Sequence, residues 1–469
     1  MLSKKQRDKL IDLDQSFLLD HMSDLPESLQ PDFEQQLLSL NLEFLSNFLG
    51  KPFQCEKKFF DKIEAPNLSN IIDLTLKNLS VKEYKSLGEQ ALSEGKIALF
   101  TVAGGQGSRL GWNGPKGTYP ASPIEGRSLF QLQAEQILAA SFRFGKPISW
   151  YIMVSPENYN STRLFLKNNR WFGVPKEQIL IITQADYPVI DSQTGKILLK
   201  KPGSLAFSPN GHGGIYEALS REGIFDQMRY KGIEHLSYSQ IDNPLASLFD
   251  PAFIGAHLDK RNSSAEFSSK FVEKKTSSEK AGIFCNINRT LKVIEYSDLP
   301  QELSNEHTKD GLLKFSHANI ALHIIGIDFA SQISSKPLPV HFAKKTMPFY
   351  DLNVNKEVIP DFLNAIKMEH FIFDALKDCK NPLLVKTLRE EEFGPIKNKE
   401  GEDSPSSSRH MQSQKAAKWL AQKGANIPRD SSGNYLGLFE ISSLTALYAD
   451  DVCLNNMTED FTSDSRISI

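Results

Sequence analysis

The sequence predicts an α/β fold built on a doubly wound, largely parallel sheet. Three observations carry that expectation. Short apolar runs alternate with helix-patterned segments from residue 96 onward. The run IALFTV at 97–102 stops abruptly at a glycine-rich stretch, which leads into a patterned helix opening near Ser128. A second run, 233–241, ends at Asp242. In such sheets ligands sit at the carboxyl ends of the strands, where both the glycine stretch and Asp242 fall.

Taken in order, residues 1–95 read as a helical region. Leu10, Leu13 and Phe17 recur at helical spacing, as do Leu38, Leu42, Leu45 and Leu49, with Pro26, Pro31 and Pro52 as punctuation. The pattern suits a helical layer packed on a later core and holds no catalytic constellation. Residues 149–154 (SWYIMV) and 179–183 (ILIIT) are strand candidates, and 156–169 is a helix with Glu157 in its first turn. A helix through Glu217–Arg221 follows Gly213 and Gly214. Residues 265–300 read as antiparallel strands, and 319–327 as a buried strand or short helix. Ile366, Met368, Phe371, Ile372, Ala375 and Leu376 make 355–390 helical by pattern. The polar segment 398–411 reads as a mobile loop, 414–423 as a last helix, and the tail from 456 as a fraying end. The expected division is a helical region at 1–95, a catalytic core at 96–350 and a smaller C-terminal region at 351–469.

Composition narrows the function classes. The 469 residues allow two or three domains, and 40% hydrophobic with 24% charged residues is ordinary for a globular chain. A net charge of −3 argues against general nucleic-acid binding. The four cysteines (Cys55, Cys285, Cys379, Cys453) lack metal-type spacing and read as reduced thiols. The first residues carry no apolar signal core, and no apolar run is long enough for a membrane span. A cytoplasmic protein without membrane or nucleic-acid partners is expected, as a monomer or weak homo-oligomer.

Five stretches carry candidate chemistry. Gly104, Gly105, Gly107 and Gly111 allow the backbone to approach a ligand and turn N–H groups toward an anion. Arg109 and Lys116 make phosphate the natural anion. The spacing matches neither the dinucleotide fingerprint nor the P-loop. The second stretch, PNGHGG at 209–214, places glycines before a helix start. His212 there suits a pocket-lining hydrogen bonder better than a general base, since no catalytic partner accompanies it. The third is Asp242, placed either to hold Mg²⁺ or to cap a helix. The fourth is VEKK at 272–275, where strand alternation puts Glu273 and Lys275 on one face and Lys274 on the other; it suits a ligand site or an exposed strand end. The fifth is REEEFGPIKN at 389–398, a pocket element or a solvated charge run.

In combination, AGGQGSRLGWNGPKG, FSPNGHGGIYEAL, SQIDNPLASLFDPAFIGAH, VEKK and REEEFGPIKN resemble the successive blocks of the eukaryotic-type UDP-N-acetylhexosamine pyrophosphorylase family, within the wider UDP-sugar pyrophosphorylase group. The blocks follow the family's order over about residues 95–410. The resemblance implies a nucleotide-diphospho-sugar transferase core, Rossmann-like with a doubly wound mixed sheet, plus a helical N-terminal region and a smaller C-terminal one. It implies that UTP and a sugar 1-phosphate give a UDP-sugar and pyrophosphate, with Mg²⁺. By matching position it implies that Val102, Ala103, Gly104 and Gly105 hold the nucleotide and that Arg109 and Lys116 bind the triphosphate and act in catalysis. Gln184 and Gly211 would contact uracil, and Asp242 would hold the metal beside the nucleotide. His212, Glu273 and Asn319 would face the sugar. Lys345 and Lys397 would contact phosphates, on the nucleotide and on the sugar phosphate respectively. Two positions depart from the family pattern: His212 stands where Asn is expected, and Ala318 where Gly is expected. N-acetylglucosamine 1-phosphate leads as substrate, with glucose 1-phosphate or galactose 1-phosphate as alternatives. A nucleotide-sugar-dependent glycosyltransferase is the rival class; it would not need a triphosphate loop with two cations.

Overall fold

The structure, a computed structural model, describes residues 1–53, 62–67, 71–76, 79–454 and 460–469. Cys55 lies outside them. The chain forms two compact units, each discontinuous in sequence. The smaller comprises Met1–Phe59, Gln184–Gly214 and Leu338–Ile372; the larger comprises Phe60–Thr183, Ile215–Pro337 and Phe373–Ile469. The grouping is therefore not collinear with divisions at residues 95 and 350: the helix Leu79–Ser93 belongs with the larger unit, and the strands within Gln184–Gly214 of the expected core belong with the smaller.

The larger unit is built on an eleven-stranded sheet. Its strands are β1 (Ile63–Glu64), β2 (Ile71–Asp73), β3 (Ile97–Val102), β4 (Trp150–Val154), β5 (Ile179–Thr183), β6 (His235–Gln240), β7 (Phe267–Glu273), β8 (Ile283–Ile287), β9 (Thr290–Ile294), β10 (His317–Gly326) and β11 (Leu383–Lys386). The spatial order is β2-β11-β7-β10-β6-β3-β4-β5. Strands β6, β3, β4 and β5 are mutually parallel. Strand β10 runs against both β6 and β7, while β11 and β2 run parallel to β7. The β8–β9 hairpin joins β10 at Ile283–Ala318, and β1 adds to β8. The fold is thus the mixed α/β sheet expected. The carboxyl ends of β3, β6, β7 and β11 and the start of β10 share one edge.

Burial explains why the central strands read as unbroken apolar runs. All of β4 is buried, as is β3 up to Thr101, so neither face alternates with water. One polar network crosses this core. Thr101 donates to Gln133 (2.7 Å), Trp150 donates to Thr101 (2.9 Å), and Gln133 donates to Ser239 (3.2 Å). It ties β3, β4 and β6 to the helix Leu129–Phe144, whose first turn is capped by Ser128 accepting from the Gln131 N–H.

Three expectations fail locally. The segment 355–390 is not a helix: it holds strands Lys356–Val358 and Ala365–Glu369, a 3₁₀ stretch at Ile372–Asp378, and β11. Ala365, Ile366 and Met368 are buried by pairing in a strand, and short elements in series imitated a helical period. Residues 398–411 are not all loop, because an α-helix runs from Pro405 to Gln422. Ser404 caps it and Pro405 takes its first turn, a helix start that the serine-rich composition disguised. The chain end does not simply fray: Arg466–Ser468 pairs in parallel with Leu438–Glu440.

The smaller unit packs the helices Lys4–Asp12, Ser16–Asp24 and Gln30–Leu38 on small sheets from 186–209 and 341–369. Gln15, fully buried, accepts from the Ile197 N–H (2.9 Å) and donates to the Gly195 carbonyl (3.1 Å). The helical N-terminal layer therefore does pack on a later part of the chain, here the 186–209 hairpins.

A buried ion cluster braces the larger unit. Lys270 in β7 has no exposed surface, lies 2.6 Å from Asp250 and pairs with Glu392. Burial alone would discharge it, but Asp250 and Glu392 hold it protonated. Glu392 also accepts from the Ser247 N–H (3.1 Å), and its carbonyl accepts from Asn243 (2.7 Å). Removing Lys270 leaves the buried Glu392 and the partly covered Asp250 facing each other without their shared cation. Lys270→Ala is expected to cost about 3–5 kcal/mol in urea unfolding. All four tryptophans lie in the larger unit, so their fluorescence reports it. A loss below about 1 kcal/mol would show that the carboxylates reach water.

Candidate active site

The glycine loop leaves β3 at Val102 and is shaped by its own carbonyls. Asn158, fully buried on the helix Pro156–Asn168, donates its side-chain amide to the carbonyls of Gly104 (2.8 Å) and Gly105 (3.2 Å). The Gly105 carbonyl also accepts from the Lys116 N–H (3.0 Å), and the Gly107 N–H donates to Gly114 (2.9 Å). With the carbonyls drawn inward, the N–H groups of Gly104 and Gly105 donate to no acceptor among the described residues. That is the surface an anion needs. Gly105 has ordinary negative φ, and a side chain there would touch nothing within 4 Å. No described residue requires glycine at 105; a Cβ there would occupy open space beside the loop N–H groups. Asn158 escaped the sequence reading because it lies 53 residues beyond the loop, inside an ordinary helix pattern.

Lys116 reaches across the sheet edge. Its ammonium lies 2.8 Å from the Asp242 carboxylate, with both side chains largely covered. The Asp242 carbonyl accepts from the Ile396 N–H (2.8 Å), and Asn243 accepts from the Gly394 N–H (3.1 Å). These bonds carry Lys397 to the same edge. Burial would raise the Asp242 carboxyl, but the charges of Lys116 and Lys397 and the Lys116 hydrogen bond outweigh it and hold the group below its ordinary value. Lys397 lies 3.9 Å from Asp403, whose carboxyl is pushed up by burial against the pull of Lys397, with Glu279 and Asp242 adding to the rise. Asp403 also accepts at its carbonyl from the Lys397 and Asn398 N–H groups (2.6 and 2.9 Å). Asp403 was missed because it sat within the segment read as loop.

The larger unit thus brings together Val102, Ala103, Gly104, Gly105, Lys116, Asp242 and Lys397. Arg109 lies on the same loop in a 3₁₀ turn, exposed, with no ion pair among the described residues. Glu273 is at the same sheet edge but is exposed and held by Lys386 (2.8 Å). Asn319 spends its side-chain oxygen on the Ala321 N–H (2.9 Å), where Ala321 has φ +55°. The Asn319 N–H donates to the Gly282 carbonyl (2.9 Å), and the Glu295 carboxylate stands 3.1 Å from where a Gly282 side chain would begin.

Gln184, Gly211, His212 and Lys345 belong to the smaller unit. Gln184 is buried, while Lys345 is exposed at the end of the strand His341–Lys345. Gly211 has φ +83°, and a side chain there would lie 2.5 Å from the His370 carbonyl. The His212 ring stacks on Phe371 (5.2 Å, 16°), which stacks on His341 (4.2 Å, 25°). His212 Nδ1 accepts from the Ile372 N–H (3.1 Å), so the neutral ring carries its proton on Nε2. His212 therefore presents a donor, and its Nδ1 is not available as a base.

A cradle of backbone N–H groups beside two lysines and a carboxylate, at the carboxyl edge of a doubly wound sheet, suits a polyphosphate. Comparison with known proteins agrees. A family model described as UTP–glucose-1-phosphate uridylyltransferase matches residues 44–415. The chain belongs to that family. UDP-N-acetylglucosamine diphosphorylase 2 of Arabidopsis thaliana is 33% identical over 362 residues, covering 73% of this chain and 70% of that protein. The UDP-N-acetylglucosamine pyrophosphorylase of Saccharomyces cerevisiae is 35% identical over 357 residues, covering 74% of each. Among solved structures, the uridine diphosphate N-acetylglucosamine pyrophosphorylase of Trypanosoma brucei shares the fold at TM-score 0.79 and 23% identity, covering 96% of this chain and 95% of that one. A Leishmania major UDP-glucose pyrophosphorylase shares it at TM-score 0.58 and 15% identity, covering 96% and 86%. The chain is a uridylyltransferase of the pyrophosphorylase type. No helix among the described residues is long and apolar enough to cross a membrane.

Two tests address the loop and the ion pair. Gly105→Ala is expected to leave the melting temperature unchanged and to raise the KM for nucleotide about tenfold or more, by displacing the ligand from the N–H groups. A loss of stability without that change would make Gly105 a structural glycine. The folded Asp242 carboxyl lies below its ordinary 3.8, so its stabilisation is complete above about pH 4 and is lost as pH falls through the folded value. The stability gap between wild type and Asp242→Asn is expected to be constant from about pH 5 to 8 and to close in acid. A gap that widens below pH 4 would contradict the pairing.

Proposed function

We propose that the chain is a Mg²⁺-dependent UTP:sugar-1-phosphate uridylyltransferase that makes UDP-N-acetylglucosamine and pyrophosphate from UTP and N-acetylglucosamine 1-phosphate. The carrying observation is the grouping of Lys116, Asp242 and Lys397 at the sheet edge beside the free N–H groups of the glycine loop. The names of the relatives support the sugar. In the reaction an oxygen of the sugar phosphate attacks the α-phosphorus of UTP, and the bond from that phosphorus to the bridging oxygen of pyrophosphate breaks. The attacking oxygen is already anionic near neutral pH, so no general base is needed. Catalysis is positioning plus compensation of charge on the α-phosphate and the leaving group. The loop N–H groups and Arg109 hold the triphosphate. Lys116 compensates charge on the α-phosphate, and Lys397 compensates charge on the sugar phosphate.

The residues fit Mg²⁺ in a restricted way. Among the described residues no three His, Cys, Asp or Glu side chains cluster as a metal cage. Mg²⁺ is commonly bound by one or two carboxylates with substrate phosphates and water. Asp242, kept ionised and near the phosphate loop, would supply that carboxylate. When bound, the ion would offset negative charge on the phosphates. The resemblance assigns uracil recognition to Gln184 and Gly211 and sugar recognition to His212, Glu273 and Asn319, with Lys345 on phosphate. Glucose 1-phosphate is the second reading; the family description and the His212 donor favour it.

Pyrophosphate release from UTP with a panel of sugar 1-phosphates tests the reading. The highest kcat/KM is expected with N-acetylglucosamine 1-phosphate. Release with glucose 1-phosphate alone would overturn the sugar. Lys116→Ala is expected to lower kcat about a hundredfold or more while changing the KM for the sugar phosphate only a few-fold. Unchanged turnover would remove Lys116 from the chemistry.

A further inference from the structure

A second cationic cleft opens in the larger unit, between the ends of β7 and β11 and the C-terminal helix Pro405–Gln422. Its volume is about 790 Å³, within the range of small-molecule sites. The sheet-side wall carries Lys274, Lys275, Lys386 and Arg389. The opposite wall carries His410, Lys415, Lys418 and Arg429, with Tyr435 beneath Arg429 at 4.0 Å. Only Glu273 and Glu390 oppose them among the lining residues, and Glu279 and Glu391 just outside pair with Arg389 (2.7 Å) and Lys418 (2.6 Å). Cations still exceed acids, in a chain whose net charge is −3.

Two lysines make the excess more than a solvated surface. Lys274 is buried and Lys415 largely so, and neither has a carboxylate within ion-pair distance among the described residues. Lys274 donates to the Ser277 carbonyl (3.0 Å); Lys415 donates to those of Glu391 (2.6 Å) and Leu245 (3.3 Å). Burial lowers both ammonium groups from their ordinary value, with nearby carboxylates pulling the other way. A desolvated ammonium bonded only to carbonyls, with no carboxylate in direct contact, gains from an anion brought within reach. Lys275 adds an exposed ammonium with no ion pair among the described residues.

We propose that this cleft is an anion-binding effector site, distinct from the glycine loop, for a small phosphorylated metabolite with anionic groups at both ends. Two cationic walls facing one cavity call for a bisphosphate rather than a single phosphate. The cleft has a physical route to the catalytic edge. Arg389 lies on its wall and opens the 389–397 segment, whose hydrogen bonds to Asp242 and Asn243 place Lys397. An occupant that draws on Arg389 biases that segment.

Calorimetric titration with inorganic phosphate, tripolyphosphate and fructose 1,6-bisphosphate, which is not a glycosyl phosphate, tests this in wild type, Lys116→Ala, Lys275→Glu and Lys275→Glu/Arg429→Glu. Both residues of the double variant are exposed and outside the catalytic loop. Wild type and Lys116→Ala are expected to bind the bisphosphate alike and more tightly than phosphate. Lys275→Glu is expected to weaken it several-fold, and the double variant about tenfold or more, with an unchanged melting temperature. Preference for tripolyphosphate that vanishes in Lys116→Ala would assign the binding to the glycine loop and overturn the proposal. So would binding that is absent in wild type at millimolar probe, or unchanged in the double variant. Because the readout is binding, failure of the uridylyl-transfer reading leaves these outcomes intact.

Discussion

The site depends on one ion pair, Lys116 with Asp242 at 2.8 Å, formed between chain segments 126 residues apart. Asp242 sits just past β6, and Lys116 closes the loop that leaves the neighbouring parallel strand β3; those strands pair in register from His235 with Ile97 to Gln240 with Val102. Strand pairing, together with the Lys116 N–H bond that folds the loop back onto the Gly105 carbonyl (3.0 Å), brings the loop cation to the carboxylate. The third member, Lys397, is added through backbone bonds to Asp242 and Asn243. Asp242 thus organises the site twice, by its carboxylate toward Lys116 and by its carbonyl toward the segment bearing Lys397. Its charge is maintained because two cations outweigh the cost of its burial.

That arrangement explains why a buried lysine in β7 matters at a site it does not touch. Lys270 neutralises Glu392, and Glu392 holds Ser247 and Asn243 through its carboxylate and its carbonyl. Without the lysine, Glu392 and Asp250 would repel, and the 389–397 segment would lose its anchor. Stability and site geometry share these residues.

What the sequence made legible follows the range of the forces involved. The β3 run, the loop glycines and the strand ending at Asp242 were readable because each is a local pattern with a local cause. The antiparallel pieces between 265 and 300 were readable for the same reason. The 355–390 segment was not, because Ile366 and Met368 are buried by cross-strand partners rather than by their own period. Neither was Asn158, a polar residue that acquires meaning only through carbonyls 53 and 54 residues away in sequence. Even the helix from Pro405 carried its start in Ser404 and Pro405, masked by a polar composition that suits caps and loops alike.

The same distinction separates the reaction from the sugar. Charge compensation for phosphate needs a few cations near a backbone cradle, and sequence spacing can suggest such a set. Choosing among sugars needs the direction of individual donors and acceptors. His212 shows the difference: as a residue type it can donate, accept or titrate. Only the Ile372 N–H on its Nδ1 places the proton of the neutral ring on Nε2. An asparagine at that position would offer both a carbonyl and an amide to the sugar. A histidine in this tautomer offers one N–H, so it can recognise an acceptor such as a carbonyl or hydroxyl oxygen and cannot accept from an amide N–H. The 2-acetamido group carries both an N–H and a carbonyl. Under the proposed assignment of His212 to the sugar, discrimination through it would rest on the carbonyl alone, a weaker criterion than the two-point recognition asparagine allows, and one that a hydroxyl oxygen also satisfies.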